Sequence, residues 1–495
     1  MSGRTAASPV TDESRRTVAV RQPTLAGIVL ICLVALVPIL GPIIVLLVSI
    51  ALIATALIIR YPVVGLLVPL LVAPAAFTPV PGTGGLRVIH VAVLVAMAGV
   101  ALGAVTGRIR AKPPAVLIFP ALFAAAFAMT TLTSHVPVDS LRATVGQLLG
   151  LGMAVSAGVV VRQSREYLPW LLRGWIVGSV LVIVPALPGA LNATDLFAGA
   201  LVEGRVQGVF SQPNDFGEFS FYALVMSWAL YAAAKSRGDR IVSLIGGVAA
   251  AAGVAVSFSR GTWIGLVVMM LAACVFAPRL LVPVAGAMAA LAPIFVVSVI
   301  TGTPPFAALS GRLTALFSGS NPNPEDDRGL IHEQAWRIFT DNPISGRGPA
   351  TFPGAAYDPG ADLIRRPYIH GHSVLLTVAA EMGLIGIVTL LALTIAMAVV
   401  FLRARRRLLI ARRIAESSRL SILAAGLVGI AAHGLFDCVY TNPYLVPLAW
   451  FQIGILAGIC AGVGDAWRRP SPDTDLENAA HPEPVEVCTP RSGQG

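Results

Sequence analysis

The sequence predicts an all-α, polytopic transmembrane helical bundle of about 14 spans with one large extracytoplasmic loop. Three observations predict it. Of 495 residues, 56% are hydrophobic and 12% charged, and the mean hydropathy is +0.80; soluble domains carry about 25% charged residues. Apolar stretches of roughly 17 to 25 residues recur along the chain, each long enough to cross about 30 Å of hydrocarbon. Basic residues fall in short breaks between these stretches. Backbone groups in lipid must be satisfied within a segment, so the stretches form helices.

The candidate spans are residues 24–40, 43–59, 62–79, 88–106, 114–132, 142–161, 170–190, 214–234, 241–257, 262–277, 280–300, 373–402, 420–437 and 444–464. Gly41-Pro42 leaves open whether the first two are separate helices or one kinked hairpin. The first apolar region is too long for a cleavable signal peptide and reads as a helix. Arg4, Arg15, Arg16 and Arg21 place segment 1–23 in the cytoplasm. Strict alternation then puts Arg60, Arg108–Lys112, Arg162–Arg165, Lys235–Arg240, Arg279, Arg403–Arg419 and Arg468–Arg469 on the cytoplasmic side. A wrong span count would break that agreement midway. The chain divides into spans over 24–300, a polar loop over 301–372, spans over 373–464, and a Pro-rich cytoplasmic tail over 465–495 that reads as disordered.

The net charge of +10 sets topology and is not a nucleic-acid signal. The five cysteines have neither disulfide nor zinc-ligand spacing. The informative residues are exceptions to the charge rule. Arg205, Arg260 and the loop residues Arg312, Arg328, Arg337, Arg347, Arg365 and Arg366 lie outside, as do His90, His135, His332, His370, His372 and His433. An outer arginine is often only solvated or in contact with headgroups. A cluster of guanidinium groups is a natural partner for a diphosphate, which it pairs bidentately.

Within the loop, Pro324-Glu325-Asp326-Asp327 reads as a helix start, with acids at the positive dipole end. Leu330, Ile331, Ala335, Ile338 and Phe339 then form one apolar stripe of an amphipathic helix, lying on the outer membrane surface or against the bundle. Asp341-Asn342-Pro343 stops it, and Gly346-Arg347-Gly348-Pro349 is a turn. The loop ends at His370-Gly371-His372-Ser373, where a membrane helix begins.

These pieces, in this order, resemble the bacterial O-antigen ligase and polymerase superfamily. The likeness covers roughly residues 200–460. It runs through Gly208-Val209-Phe210 with Pro213-Asn214, Ser259-Arg260-Gly261, Arg328 with Trp336, Asn342 to Gly348 with Phe352, His372 to Leu376, Glu381 to Gly386, and His433 to Asp437. One departure is His372-Ser373, where the family usually has His-Asn. The resemblance implies a metal-independent glycosyltransferase with no cofactor in the cytoplasmic membrane, its active site outside. The donor would be a polyprenyl-diphosphate-linked glycan and the acceptor a hydroxyl on a lipid, protein or growing chain. Ligase and polymerase share donor chemistry and stay undivided here.

That chemistry suits the residues. Arginines stabilise a diphosphate leaving group, and a neutral imidazole near pH 7 serves as general base. His372 and Arg260 are therefore the catalytic candidates; Arg205, Asn214, Arg328, Arg347, His370 and Glu381 are the substrate-binding candidates. Structural alternatives stand beside them. His372 caps a helix, His433 and Asp437 bond each other one turn apart, and Glu381 pairs inside the bundle. His370 and His372 also have the makings of a metal pair, but no third ligand is evident in the sequence. The rival from another class is a transporter or flippase of lipid-linked glycans. It would bind near the midplane between internal repeats, whereas the polar residues here gather at the outer ends. A non-catalytic scaffold would not need so many outward arginines.

The topology is checked by labelling Ser320→Cys, on a background lacking the native cysteines, in intact cells. A membrane-impermeant reagent is expected to label it at once; labelling only after permeabilisation contradicts the topology.

Overall fold

The computed structural model describes residues 54–58, 60–80, 86–191, 205–280, 328–353, 370–438 and 441–468. The chain divides into two units, residues 1–62 and 63–495. In the first, residues 54–58 are helical. In the second, regular structure among the described residues is helical, apart from a bridge between Pro79 and Arg87 and a bridge residue at Arg205. The helices are α1 (Pro62–Leu71), α2 (Val88–Val105), α3 (Ile118–Thr131), α4 (Pro137–Gln163), α5 (Tyr167–Ala186), α6 (Pro213–Ala232), α7 (Arg237–Val256), α8 (Arg260–Phe276), α9 (Arg328–Asp341), α10 (Val374–Ile410), α11 (Ile414–His433) and α12 (Leu445–Arg468).

Seven of them, α2, α4, α5, α7, α10, α11 and α12, are long and apolar enough to cross a membrane. Helices α1, α3 and α8 are apolar but shorter. The expected spans near 24–59 and 281–300, residues 301–327 and 354–369 of the large loop and residues 469–495 of the tail lie outside the described residues, residues 54–58 excepted; residues 465–468, expected in the tail, continue α12. Where helices are described they overlap the expected spans with different ends, but those expected at 62–79, 114–132, 214–234 and 262–277 (α1, α3, α6 and α8) are not among the seven. The expected span 373–402 continues to Ile410, so Arg403 to Arg407 lie on the helix and not in a loop. Leu, Ala and Arg are all good helix formers, and basic side chains suit a helix C-terminus. At 1.5 Å per residue, 37 residues reach about 55 Å at most, well beyond a hydrocarbon core of about 30 Å.

Small residues bring the helices together, as expected where lipid gives no hydrophobic drive to association. Helix α4 packs on α12 at Gly150, Ala154 and Gly158; a Cβ added at Gly454 would stand 2.2 Å from the Ala154 carbonyl oxygen. Trp450 donates from its indole N–H to Gln147 in the same seam, 3.0 Å. Helices α8 and α11 meet at Gly265 and Gly429, where each glycine's Cβ would fall within 2.7 Å of the other's carbonyl oxygen. Among the described residues, Cys274, Cys438 and Cys460 are not in disulfides.

The amphipathic helix α9 buries Ile331, Ala335 and Ile338 with Phe352 and Ala380. Its stripe therefore packs against α10, while Trp336 on the other face is exposed. Helix α10 is broken near its start at Gly383 (φ 59°, ψ −151°). The break frees the bonds that Leu384 and Ile385 would make to Ala380 and Glu381. Segment 343–348 replaces them. Arg347 N–H donates to the Ala380 carbonyl (3.0 Å) and Gly348 N–H to that of Glu381 (2.8 Å); Leu384 N–H donates to Pro343 O (2.8 Å) and Ile385 N–H to Ile344 O (3.2 Å). On its other side the segment reaches the α3–α4 turn, where Ser140 donates to Pro349 O and His135 N–H to Arg347 O.

Gly346 is left-handed (φ +64°), and a Cβ there would stand 2.2 Å from the Glu381 carbonyl carbon. The conformation alone costs about 1–3 kcal/mol in a non-glycine residue. Gly346→Ala is therefore expected to lower the unfolding temperature of purified protein, with Gly107→Ala as a control: that glycine is also left-handed (φ +70°) but has open space around it. Equal losses from the two substitutions contradict the backbone docking.

Candidate active site

Three stretches of chain converge at one end of the bundle. The first is the arm leading into α6. Arg205 donates from Nε to Ser257 O (2.9 Å) and from its terminal nitrogen to Asn214 Oδ1 (2.5 Å), while Val206 N–H donates to Val256 O (3.3 Å). The arm is thus fastened to the end of α7. Asn214 follows Pro213 in the first turn of α6, where proline's fixed φ suits a helix start. The next residue, Asp215, accepts from Asn442 Nδ2 at 2.8 Å. Asn442 Oδ1 in turn accepts from Tyr444 and Leu445 N–H at the start of α12.

The second stretch is the α7–α8 turn. Ser259 caps α8 by accepting from Thr262 N–H, and Arg260 is the first helical residue. Gly261 then lies flat against His433, with a Cβ position 2.8 Å from its Cδ2. This contact carries Arg260 to the end of α11.

The third stretch is His370 to Ser373. Ser373 is the N-cap of α10, its hydroxyl accepting from Leu376 N–H at 3.5 Å. The position needs a short side chain with an oxygen, and serine supplies it as asparagine does; the departure from His-Asn is physically mild. Thr377 ties the turn together, donating to Ser373 O (2.7 Å) and accepting from Gly371 N–H (3.0 Å). Val374 N–H donates to Gly434 O (2.6 Å), which locks this turn onto the end of α11. His372 sits at φ +46°, in the left-handed region that favours glycine.

Asp437 is the residue on which the histidines meet. Its Oδ1 lies 3.4 Å from His370 Nε2 and 3.8 Å from His372 Nδ1, and accepts from Cys438 N–H at 2.8 Å. His372 N–H donates to His370 Nδ1 at 3.2 Å. A neutral His370 that accepts at Nδ1 carries its proton on Nε2, facing Asp437. Arg328, at the start of α9, donates to Phe436 O (3.3 Å) and acts electrostatically on His370. Desolvation lowers the pKa of His370, against the Asp437 charge that raises it and with the Arg328 charge that lowers it further. Asp437 is held below the ordinary carboxylate range: burial opposes this, but His370, His433, His372 and the Cys438 N–H outweigh it.

His370, His372, Arg328, Arg260, Arg205 and Asn214 thus belong to this end of the bundle. Arg347 and Glu381 belong to the break in α10. There the fold uses the backbone of Arg347, and the Glu381 carboxylate, 1% exposed, accepts from Phe352 N–H at 3.2 Å. His135 lies beside that segment, His332 is on α9, and His90 accepts from Arg87 N–H at the start of α2. Arg312, Arg365 and Arg366 lie outside the described residues. The third partner for the histidine pair, missing from the sequence reading, is Asp437. One ligand atom from each of His370, His372 and Asp437 lies within 4.8 Å of the others, so the three could hold a cation. Asp215 and Glu218 were also not singled out. Acidic residues in the first turns of an otherwise apolar helix were the available signal.

Residues 245–391 match the family model for O-antigen ligase. That part of the chain is similar to O-antigen ligases. The match runs from within α7 through α8, α9 and the first half of α10, so it includes Arg260, Arg328, His370 and His372. The arm at Arg205 and the partner Asp437 lie beyond it and join the site through the contacts above. No curated protein matches the chain. The likeness to O-antigen ligases and the seven helices long and apolar enough to cross a membrane together suit a membrane protein of glycan transfer.

The lowered pKa of His370 predicts a pH dependence. Unfolding restores the ordinary value near 6.5, so below it the unfolded chain binds more protons and stability falls as the pH drops. The unfolding temperature of wild type is expected to fall between pH 7 and 5, and less steeply for His370→Asn. Equal slopes, or a wild type that gains stability on acidification, contradict this.

Proposed function

We propose that the chain transfers a saccharide from a polyprenyl-diphosphate carrier to a hydroxyl acceptor on the outer side of the cytoplasmic membrane, without a metal. The single observation that carries this reading is the meeting of His370 and His372 on buried Asp437, with Arg328 bonded to the adjoining Phe436 carbonyl. Support for the side comes from the opposite end of the helices. There Arg162 pairs with Asp465 and Arg165 with Glu416, while Arg405 and Arg419 donate to helix-end carbonyls. A basic end of this kind suits the cytoplasmic face.

In the proposed step the acceptor oxygen attacks the anomeric carbon, and its proton passes to His372 Nε2. Asp437 faces Nδ1 and stabilises the imidazolium that forms, the role of a buried carboxylate behind a histidine base. The anomeric carbon–oxygen bond breaks, and its electrons leave with the polyprenyl diphosphate. Arg205, Arg260 and Arg328 offset that developing charge. Asn214 holds the Arg205 fork in place, and His370 fixes the His372 backbone. The metal-free reading rests on guanidinium groups being sufficient partners for a diphosphate and on His370 Nδ1 being committed to the His372 N–H.

Losing a general base costs about 10² to 10⁴ in rate. His372→Ala is expected to lose that much turnover with purified protein, lipid-linked donor and acceptor, while keeping donor binding. Arg260→Lys keeps charge but loses the fork, and is expected to impair transfer. Undiminished turnover by His372→Ala removes it as base. Activity that vanishes with chelator and returns with a divalent ion assigns the His370, His372 and Asp437 group to a cation instead.

A further inference from the structure

Beneath the proposed base lies a second buried polar layer that the transfer step does not use. Glu218, on the second turn of α6, is 2% exposed. Its Oε2 stands 3.5 Å from His433 Nδ1 at the end of α11, and the two side chains are almost equally buried. Neither ring nitrogen of His433 has a conventional hydrogen bond, and Thr262 Oγ1 and Asp437 Oδ2 share that state; the Tyr222 hydroxyl, one turn further along α6, is the other polar partner of the Glu218 carboxyl group. A carboxylate at this depth in a membrane bundle is costly to keep unless it serves the protein.

His433 touches everything that matters around it. Its carbonyl accepts from Phe436 N–H (2.8 Å) and Asp437 N–H (3.1 Å), so its position sets the turn that presents Asp437. Its ring lies against Gly261, next to Arg260, with no room for a side chain between. Its Cβ also faces Gly265 one turn further along α8. The Phe436 carbonyl receives Arg328. A shift of this one ring would therefore move the carboxylate behind the base and two of the arginines.

We propose that Glu218 is a positioning residue for the transfer, acting through His433 on Asp437 and on the first turn of α8. The proposal rests on the transfer reading above. It differs from a packing role in what it demands: a carboxyl oxygen opposite the His433 ring, of the right reach, and an effect on the rate with donor affinity unchanged. Glutamine fills the same volume with an amide in place of the carboxyl group. Aspartate keeps the carboxyl group on a shorter arm.

The test measures kcat and donor KM for Glu218→Gln, Glu218→Asp, His433→Gln and the Glu218→Gln/His433→Gln double variant, each with its unfolding temperature. Glu218→Gln is expected to lower kcat roughly 10- to 100-fold, within the range of coupling between contacting residues, with donor KM within about twofold. Glu218→Asp is expected to recover part of the loss. The double variant is expected to be no slower than His433→Gln, because both substitutions break one chain of contacts. Wild-type kcat in Glu218→Gln, losses that multiply in the double variant, or a loss that only tracks the folded fraction overturns the proposal. His372→Ala run in parallel separates the two readings. If it is inactive while Glu218→Gln is fully active, only the positioning role falls. If both are fully active, the transfer reading falls with it.

Discussion

The break in α10 at Gly383 is the feature on which the site-bearing end of the molecule rests. A membrane helix that stops bonding to itself leaves peptide groups that cannot remain unpaired away from water. Here the four groups released at Ala380, Glu381, Leu384 and Ile385 are all taken by segment 343–348. A loop thereby becomes part of a helix's own bonding, and α9 is tethered on one side of it and Phe352 on the other. The Glu381 carboxylate closes the arrangement by accepting the Phe352 N–H. Glycines at 346 and 383 are required because a Cβ at Gly346 would meet the Glu381–Met382 backbone and one at Gly383 the Ile344 and Gly346 backbone.

From that anchor the site follows by short links. Helix α9 packs on α10 through Ile331, Ala335 and Ile338, which carries Arg328 at its start to the Phe436 carbonyl. The Ser373 cap and the Val374–Gly434 bond set His370 and His372 against the end of α11. The Gly261–His433 contact sets α8 and Arg260 against the same end. Asp437 then stands among three imidazoles, which hold its pKa below the ordinary carboxylate range against its burial. The transfer proposed above would use such a division of labour: a carboxylate that supports one base, with cations placed where the leaving group's negative charge emerges.

Much of the fold was legible in the sequence, because length and apolar content mark membrane helices directly. Pro213 at the start of α6 and Ser259 before α8 are local signals of helix starts, whereas the cap expected at His372 falls on the adjacent Ser373. The break at Gly383 was not legible. Glycine inside an apolar run reads as a tolerated helix residue, and only the partner segment makes its conformation necessary. The same reason hid the roles of Arg347 and Glu381, whose backbone and carboxylate serve that junction. In the site, His370, His372 and Arg328 stood out by residue type and position. Asp437 as their partner did not, because pairing between α10 and α11 ends depends on the tertiary bond from Val374 to Gly434. Glu218 lay unnoticed for a like reason: its significance is the His433 ring opposite it.

The central claim is that a polyprenyl diphosphate docks where these segments converge. The most direct measurement is photocrosslinking with a polyprenyl-diphosphate probe carrying its reactive group beside the diphosphate, read by peptide mass spectrometry. The account predicts adducts on the peptides holding Arg205 to Asn214, Ser259 to Thr262 and His370 to Ser373. Adducts confined to the opposite end, on peptides holding Arg162, Arg165 and Arg413, would contradict it.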